Sequence, residues 1–159
     1  IEETLFRGLF FTLSKKWHTV TIAIIVSSLF YALLHFIKPI EHIDSLSLNW
    51  LSGTDVILNA FSAALLLNIT DFLALFSVGV LLALVRYQTN TLAYCIGLHA
   101  SWVFLIKITN ELTTSNASSE WSFLVGQYDG IIGLLAFTWL FIVICSYTIY
   151  IVKFSTSNS

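Results

Sequence analysis

Long apolar stretches separated by short polar connections recur along the whole chain. A helix needs about 17–25 apolar residues to cross a bilayer, and none of the stretches shows the apolar–polar alternation of a strand. Lipid leaves unpaired backbone groups unsatisfied, so these segments are expected to be helical. The pattern predicts an all-α polytopic transmembrane bundle of about six helices, some short or only partly crossing, over residues 2–13, 19–37, 55–69, 71–85, 91–106 and 130–152.

Polar residues mark the connections between these helices. The two longest polar loops are 38–54 and 109–129, and a tight connection at 68–71 suggests Asp71 as the N-cap of the fourth helix. The sequence predicts one membrane core over residues 1–154 and a disordered tail over 155–159. Because the chain opens on Ile1 and contains no Met, we expect it to be a fragment that lacks N-terminal spans.

Composition supports a membrane location. Of the 159 residues, 57% are hydrophobic and 10% are charged, whereas soluble domains carry roughly 25% charged residues. The net charge of −2 provides no basic surface for nucleic acid, so the expected surroundings are the lipid bilayer. Cys95 and Cys145 both lie in apolar runs and are expected to be small buried hydrophobic residues, not a disulfide.

Regular alternation of the helices across the membrane predicts where the cations lie but gives no orientation. It would place Lys15, Lys16 and Lys107 on one side and Lys38, Arg86 and Lys153 on the other. Three cations against three do not decide which side is cytoplasmic.

Five ionisable residues lie within the apolar stretches, where charge is costly and usually functional. They are Glu2, Glu3, Arg7, His35 and His99. Glu3 and Arg7 are four residues apart, share a helix face and can pair. Glu2 points about 100° away from Glu3 and has no local cation. A paired and an unpaired carboxylate side by side are typical of an acid–base site.

Under regular alternation, Glu2 and both histidines fall in the same half of the bilayer. His35 lies near the end of the second helix, and His99 lies about 12 Å into the fifth at 1.5 Å per residue. We expect His18 at the opposite end and His42 in a loop, both outside the site.

A carboxylate and two imidazoles in one buried site admit two mechanisms. In the first, Glu2 is a general base, His35 helps to hold the water, and His99 donates to the oxyanion. In the second, the same three residues bind zinc as a His2Glu set. The chain contains no His-Glu-x-x-His motif in support of zinc, so no cofactor is expected and zinc is the alternative.

Three motifs resemble the CPBP family of CAAX proteases and bacteriocin-processing enzymes. Residues 2–8, EETLFRG, resemble its Glu-Glu-x-x-x-Arg motif, and residues 31–35, YALLH, resemble its Phe-x-x-x-His motif with Tyr for Phe. Segment 76–99, ending in Gly-Leu-His, is similar to its third and fourth regions. Each motif is short, but their order and membrane setting together are fairly specific.

The resemblance implies an intramembrane endopeptidase that cleaves a membrane-bound or lipidated protein or peptide. Carried over by residue, Glu2 activates water, His35 positions that water, and His99 stabilises the oxyanion. Glu3 and Arg7 form the supporting pair. The resemblance also implies an integral membrane location, expected to be a bacterial inner membrane.

Two positions depart from the family pattern. Tyr31 replaces Phe and adds a hydroxyl that needs a partner. Val103 stands where the family has Asn, four residues after His99. Val lacks the amide donor, so Ser101 or the indole N–H of Trp102 would have to replace it.

Two rival functions stay open at this point. A catalytically weak or inactive relative, acting in bacteriocin immunity or as a membrane binding protein, would fit the missing donor at position 103. A transporter or proton relay would use the same buried groups, but it needs a chain of them across the bilayer. The clustering of the candidates in one half favours the protease.

Overall fold

The computed structural model describes residues 1–37, 50–65, 67–114, 119–126 and 132–157. Over these ranges the chain is all-helical, and the predicted six-helix bundle is confirmed. A π-helical segment, Thr4–Phe10, continues directly into α1, Phe11–Trp17. The further helices are α2, Val20–His35; α3, Ser52–Leu65; α4, Ile69–Thr89; α5, Ala93–Leu112; and α6, Leu134–Ser157. A 3-10 turn covers Ser122–Leu124.

In the described part of the chain, two helices are long and apolar enough to cross a membrane. These are α4 and, within α6, residues Leu134–Lys153. The shorter α2 is also apolar. Many large apolar side chains are exposed on α5 and α6, as expected of surfaces that face lipid.

The centre of the bundle is the contact between α2 and α4, which small residues bring close together. An added Cβ at Gly79 would come within 2.9 Å of the Ser28 Cα. The hydroxyls of Ser27 and Ser28 both donate to the backbone oxygen of Ile24 within α2. Their polar groups are therefore satisfied where they are buried, and the two backbones can approach.

Ring contacts at both ends show that α2 and α4 are antiparallel. The Lys15 Nζ lies 5.2 Å from the Tyr87 ring centroid, which brings the end of α1 to the end of α4. Phe36 and Phe72, with ring centroids 6.4 Å apart, join the end of α2 to the start of α4. Helix α3 therefore adds no net crossing. The predicted alternation is wrong here, because Lys15 and Arg86 lie at the same end of the bundle.

Helix α5 consequently runs in the opposite direction to the predicted one. Asn90, with a φ of 53°, ends α4 in the left-handed conformation and turns the chain into α5. The Cys95 thiol donates to the Leu82 backbone oxygen at 3.3 Å, which fixes the start of α5 beside the end of α4. His99 therefore lies in the second turn of α5, reached from the end of the bundle opposite His35.

Several local predictions need correction. The N-cap of α4 is Asn68, whose Oδ1 accepts from the Thr70 N–H at 2.9 Å; Asp71 lies in the first turn and is buried. Asn68, and not Asp71, is the N-cap because α4 begins two residues earlier than predicted. Cys95 is buried as expected, but Cys145 is exposed on α6, and both are free thiols.

Three further predictions concern the edges of the described chain. His18 is exposed at the end of α1, as expected, while His42 lies outside the described residues. Helix α6 reaches Ser157 and so includes the first three residues of the predicted tail; residues 158–159 lie outside the described part.

Candidate active site

The candidate site lies at an apolar cavity of about 600 Å³. Glu2, Tyr31, His35 and His99 line it, together with apolar residues of α4, α5 and α6. Of the five site residues predicted from sequence, three therefore reach the cavity. Glu3 and Arg7 lie beneath it, buried in the core.

Glu2 faces both histidines. Its Oε2 lies 3.6 Å from the His35 Nε2 and 3.7 Å from the His99 Nε2. The Glu2 side chain is 55% exposed, against 16% for His35 and 15% for His99. Distances above 3.5 Å between polar atoms suit a bridging water more than a direct hydrogen bond. The three groups thus surround one small polar position at the cavity wall.

The backbone of α2 fixes the orientation of His35. Its Nδ1 lies 2.7 Å from the Tyr31 backbone oxygen, one turn earlier. A carbonyl oxygen only accepts, so Nδ1 must carry the proton and donate. In neutral His35, the Nε2 that faces Glu2 is then a hydrogen-bond acceptor. The Tyr31 ring, with its centroid 4.2 Å from that of His35, holds the imidazole from the side.

Glu3 links Arg7 to His99. Its Oε1 accepts from the Arg7 Nη1 at 3.3 Å and lies 2.9 Å from the His99 Nδ1. The carboxylate oxygen is an acceptor, so the His99 Nδ1 donates to it and the ring is turned with Nε2 toward Glu2. The predicted Glu3–Arg7 pair is therefore present and also orients a histidine. No local sequence pattern indicates this second contact, because it depends on how α5 packs.

Arg7 is fully buried and is held from three sides. Besides its contact with Glu3, its Nη2 donates to the Gly79 backbone oxygen at 3.0 Å. Its Cζ lies 4.4 Å from the Tyr31 ring centroid, within range of a cation–π contact. Arg7 Nε and Glu3 Oε2 have no hydrogen-bond partner among the described residues. The pair is thus joined through one oxygen and not in the two-point geometry that arginine and carboxylate often adopt.

The cavity extends from His99 along one face of α5. Trp102, Val103, Ile106 and Asn110 line it, at the three- and four-residue spacing of a helix face. Val103, where the family resemblance predicts Asn, contributes no donor to this wall. Of the two predicted replacements, Trp102 lines the cavity, whereas the Ser101 hydroxyl donates to the Gly97 backbone oxygen.

Glu2, His35 and His99 carry the donor atoms of the predicted His2Glu alternative. Within the described ranges, no group of three or more His, Cys, Asp or Glu side chains is placed to hold a metal ion together. Zinc at Glu2, His35 and His99 would require N and O ligands at about 2.0–2.2 Å from one point. The expectation that no cofactor is needed stays a prediction.

Protonation limits what each group can do chemically. Glu2 and neutral His35 both present acceptors, so a water between them can donate to both and keep its lone pairs for attack. His99 already donates through Nδ1. It can also donate to an oxyanion through Nε2 only if the ring carries both protons at that moment.

Comparison with known proteins identifies one protein family that matches the chain. The family model described as Type II CAAX prenyl endopeptidase Rce1-like matches residues 1–105. That range contains all five predicted site residues and ends inside α5. No curated protein and no solved structure matches the chain. Since the match covers well over half of the 159 residues, the chain belongs to the type II CAAX prenyl endopeptidase Rce1-like family, a family of integral membrane proteases.

Proposed function

We propose that this protein is an intramembrane endopeptidase that hydrolyses a peptide bond in a membrane-bound or lipidated protein. Glu2 activates the water, His35 helps to hold it, and His99 stabilises the oxyanion. The observation that carries the proposal is the convergence of the Glu2 Oε2 with two histidine Nε2 atoms at the wall of an apolar cavity.

In the proposed reaction, a water donates one hydrogen bond to Glu2 and the other to the His35 Nε2. Glu2 takes a proton as the water oxygen bonds to the scissile carbonyl carbon, and the carbonyl oxygen becomes an oxyanion. The oxyanion accepts from the His99 Nε2–H of an imidazolium. Collapse of the intermediate breaks the C–N bond, and Glu2 passes its proton to the leaving amine. The OH of the water stays on the new carboxyl group.

The cavity chemistry supports a lipidated substrate. Apart from the three site groups, its wall is largely apolar and includes Leu75, Val78, Trp102 and Leu140. An apolar wall binds a lipid chain or apolar side chains by removing both surfaces from water and polar headgroups. A prenylated peptide is therefore the substrate to test first.

A catalytically weak or inactive relative is the second candidate, and Val103 is the observation that favours it. One missing oxyanion donor typically lowers a rate by about 10²–10³. Such a protein would still bind a lipidated partner in the cavity. Turnover, and not binding, therefore separates the two functions.

The experiment is hydrolysis of a prenylated peptide by the purified full chain in liposomes made in H₂¹⁸O. The proposal expects one cut and one ¹⁸O atom in the new carboxyl group, detected by mass spectrometry. His35→Ala should abolish the product, while His18→Ala, at an exposed histidine outside the site, should not. Binding of the peptide without any ¹⁸O-labelled product would overturn the enzyme proposal in favour of the inactive relative.

A further inference from the structure

Cations and aromatic side chains gather at the end of the bundle where α1 and α4 finish. Lys15 and Lys16 are exposed in the last turn of α1, and Arg86 lies in the last turn of α4. The Lys15 Nζ lies 5.2 Å from the Tyr87 ring centroid, so the two helix ends meet. Trp17, which is 81% exposed, ends α1 beside the lysines. These five residues form the basic end of the bundle.

Helix α6 brings a further cation to the same end. Gly126 packs against the Asp71 side chain and against the Ile132 backbone oxygen, so the chain enters α6 beside the start of α4. The Leu134–Lys153 part of α6 then runs in the same direction as α4 over a similar length, 20 residues against 21. Lys153 is exposed and therefore lies near the level of the basic end.

Acidic side chains are absent from the sequence that builds this end. No Asp or Glu occurs in residues 4–40, 72–110 or 130–159. Those ranges include the ends of α1, α4 and α6 and the starts of α2 and α5. Asp71 and Glu111 lie at the opposite end, in the first turn of α4 and the last turn of α5. The bundle is therefore polarised along its axis, with its positive charge at the basic end.

We propose that the basic end binds the headgroups of anionic phospholipids through Lys15, Lys16 and Arg86. This inference does not depend on the proposed function. In the described chain, α4 and the Leu134–Lys153 part of α6 are the helices long and apolar enough to cross a membrane, and each has a cation in its last turn. The cations therefore lie at the level where a spanning helix leaves the hydrocarbon core and reaches the headgroups.

The aromatic residues of the basic end favour a lipid over a soluble anion. Trp and Tyr are enriched at the membrane–water interface, because one part of the ring is apolar and the other is polar. Trp17 and Tyr87 offer such rings beside the lysines. Each Lys or Arg near an anionic membrane surface strengthens binding about fivefold, and an ammonium donates a charge-assisted hydrogen bond to phosphate. Headgroup and upper acyl chain would thus both find a partner.

The test measures binding of phosphatidylglycerol and phosphatidylcholine to the purified full chain in neutral detergent, by native mass spectrometry. At low ionic strength we expect phosphatidylglycerol to bind about a hundredfold more tightly, roughly fivefold for each of three cations. High salt should reduce this preference, because it screens exposed charges. Lys15→Gln/Lys16→Gln should lower the preference to about fivefold, while Lys15→Arg/Lys16→Arg should retain it.

Three further measurements make the result specific. Lys16→Gln alone, which leaves the contact between Lys15 and Tyr87 in place, should cost about fivefold in phosphatidylglycerol affinity. Lys107→Gln, at an exposed lysine near the far end of α5, is the matched control and should bind as wild type. Inorganic phosphate, replacing chloride at equal ionic strength, should not displace the lipid.

The contrary results are equally distinct. Equal binding of the two lipids at low ionic strength overturns the inference, and so does a Lys15→Gln/Lys16→Gln variant that keeps the wild-type preference. An equal loss in Lys107→Gln would show a response to overall charge and not to the basic end. Displacement by inorganic phosphate would show a site for a free anion instead of a lipid headgroup.

Discussion

Glu3 contacts both a cation and an imidazole, so its side chain has two roles. Through Oε1 it partners buried Arg7, and through the same atom it orients His99. Glu2, by contrast, is half exposed and has no guanidinium contact. Two adjacent acids therefore differ because one faces the core and the other faces the cavity.

Glu3→Gln is expected to damage both the fold and the site. It leaves Arg7 as a buried charge without its anion, a change that costs about 3–5 kcal/mol in buried pairs. It can also turn an amide N–H toward the His99 Nδ1–H. Thermal unfolding in detergent should show a clear loss of stability for Glu3→Gln and little change for Glu2→Gln. Equal melting of the two variants would contradict this division of roles.

Val103→Asn tests whether the oxyanion site lacks a donor. Position 103 is one turn beyond His99 and lines the cavity, so an Asn amide there could reach the same oxygen. Turnover should rise by about 10²–10³ if the donor is simply missing. If Trp102 supplies it, Val103→Asn should change little and Trp102→Phe should lower turnover strongly. No effect of either change would show that the oxyanion role of His99 is wrong.

The ionisable candidates for the site could be identified from sequence, but their contacts could not. Ionisable groups in apolar helices are rare because they are costly, so Glu2, His35 and His99 stood out without a structure. The contact of His99 with Glu3 joins residues 96 positions apart. It depends on the rotation of α5 about its axis, which no local pattern specifies. Lys107 follows the predicted fifth helix, 91–106, and no local pattern indicates that it lines the cavity.

At the scale of elements, Gly79 decides how closely α2 and α4 approach. A Cβ there would meet backbone and side-chain atoms of Ser28 at 2.9 Å, and the Gly79 carbonyl accepts from Arg7. The same glycine therefore sets the helix contact and the position of the guanidinium under the site.

Gly79→Ala is accordingly expected to lower the melting temperature and the activity together. Overpacking a close contact costs about 1–3 kcal/mol, more than the roughly 1 kcal/mol that Ala adds to helix propensity. Gly97→Ala on α5 is the matched control, because a Cβ there meets nothing within 4 Å. It should melt at the same temperature or higher. A Gly79→Ala variant as stable and active as the control would refute this packing role.

The positions of the helices could be predicted from sequence, but the direction in which each helix runs through the bundle could not. Apolar runs and polar breaks located all six helices, because an apolar stretch in lipid forms a helix that satisfies its own backbone groups. The wrong prediction of direction comes from α3, because regular alternation treats this helix as a membrane crossing. Its 14 residues span about 21 Å at 1.5 Å per residue, short of a hydrocarbon core of about 30 Å. The predicted segments 55–69 and 71–85 are equally long, however, so length in the sequence did not distinguish α3 from α4.

At the scale of the whole molecule, the absence of a cofactor is a prediction that purified protein can test. The proposed reaction uses only Glu2, His35 and His99, so chelator treatment should leave peptide hydrolysis unchanged. Elemental analysis should find zinc well below one atom per chain. Zinc at one atom per chain, with activity lost on its removal and regained on its return, would replace the glutamate mechanism with the His2Glu alternative.

The proposed mechanism gives Glu2 one task, which is to take the proton of the attacking water. Glu2→Gln keeps the shape of the side chain but cannot accept that proton, so the initial rate should fall by about 10²–10⁴. Glu111→Gln, at an exposed acid of α5 outside the cavity wall, is the matched control and should retain the wild-type rate. We therefore single out the initial rate of prenylated-peptide hydrolysis for these two variants, reconstituted in liposomes and matched for thermal stability. A rate near zero for Glu2→Gln alone is the predicted result, and a Glu2→Gln variant as fast as its control would contradict the mechanism.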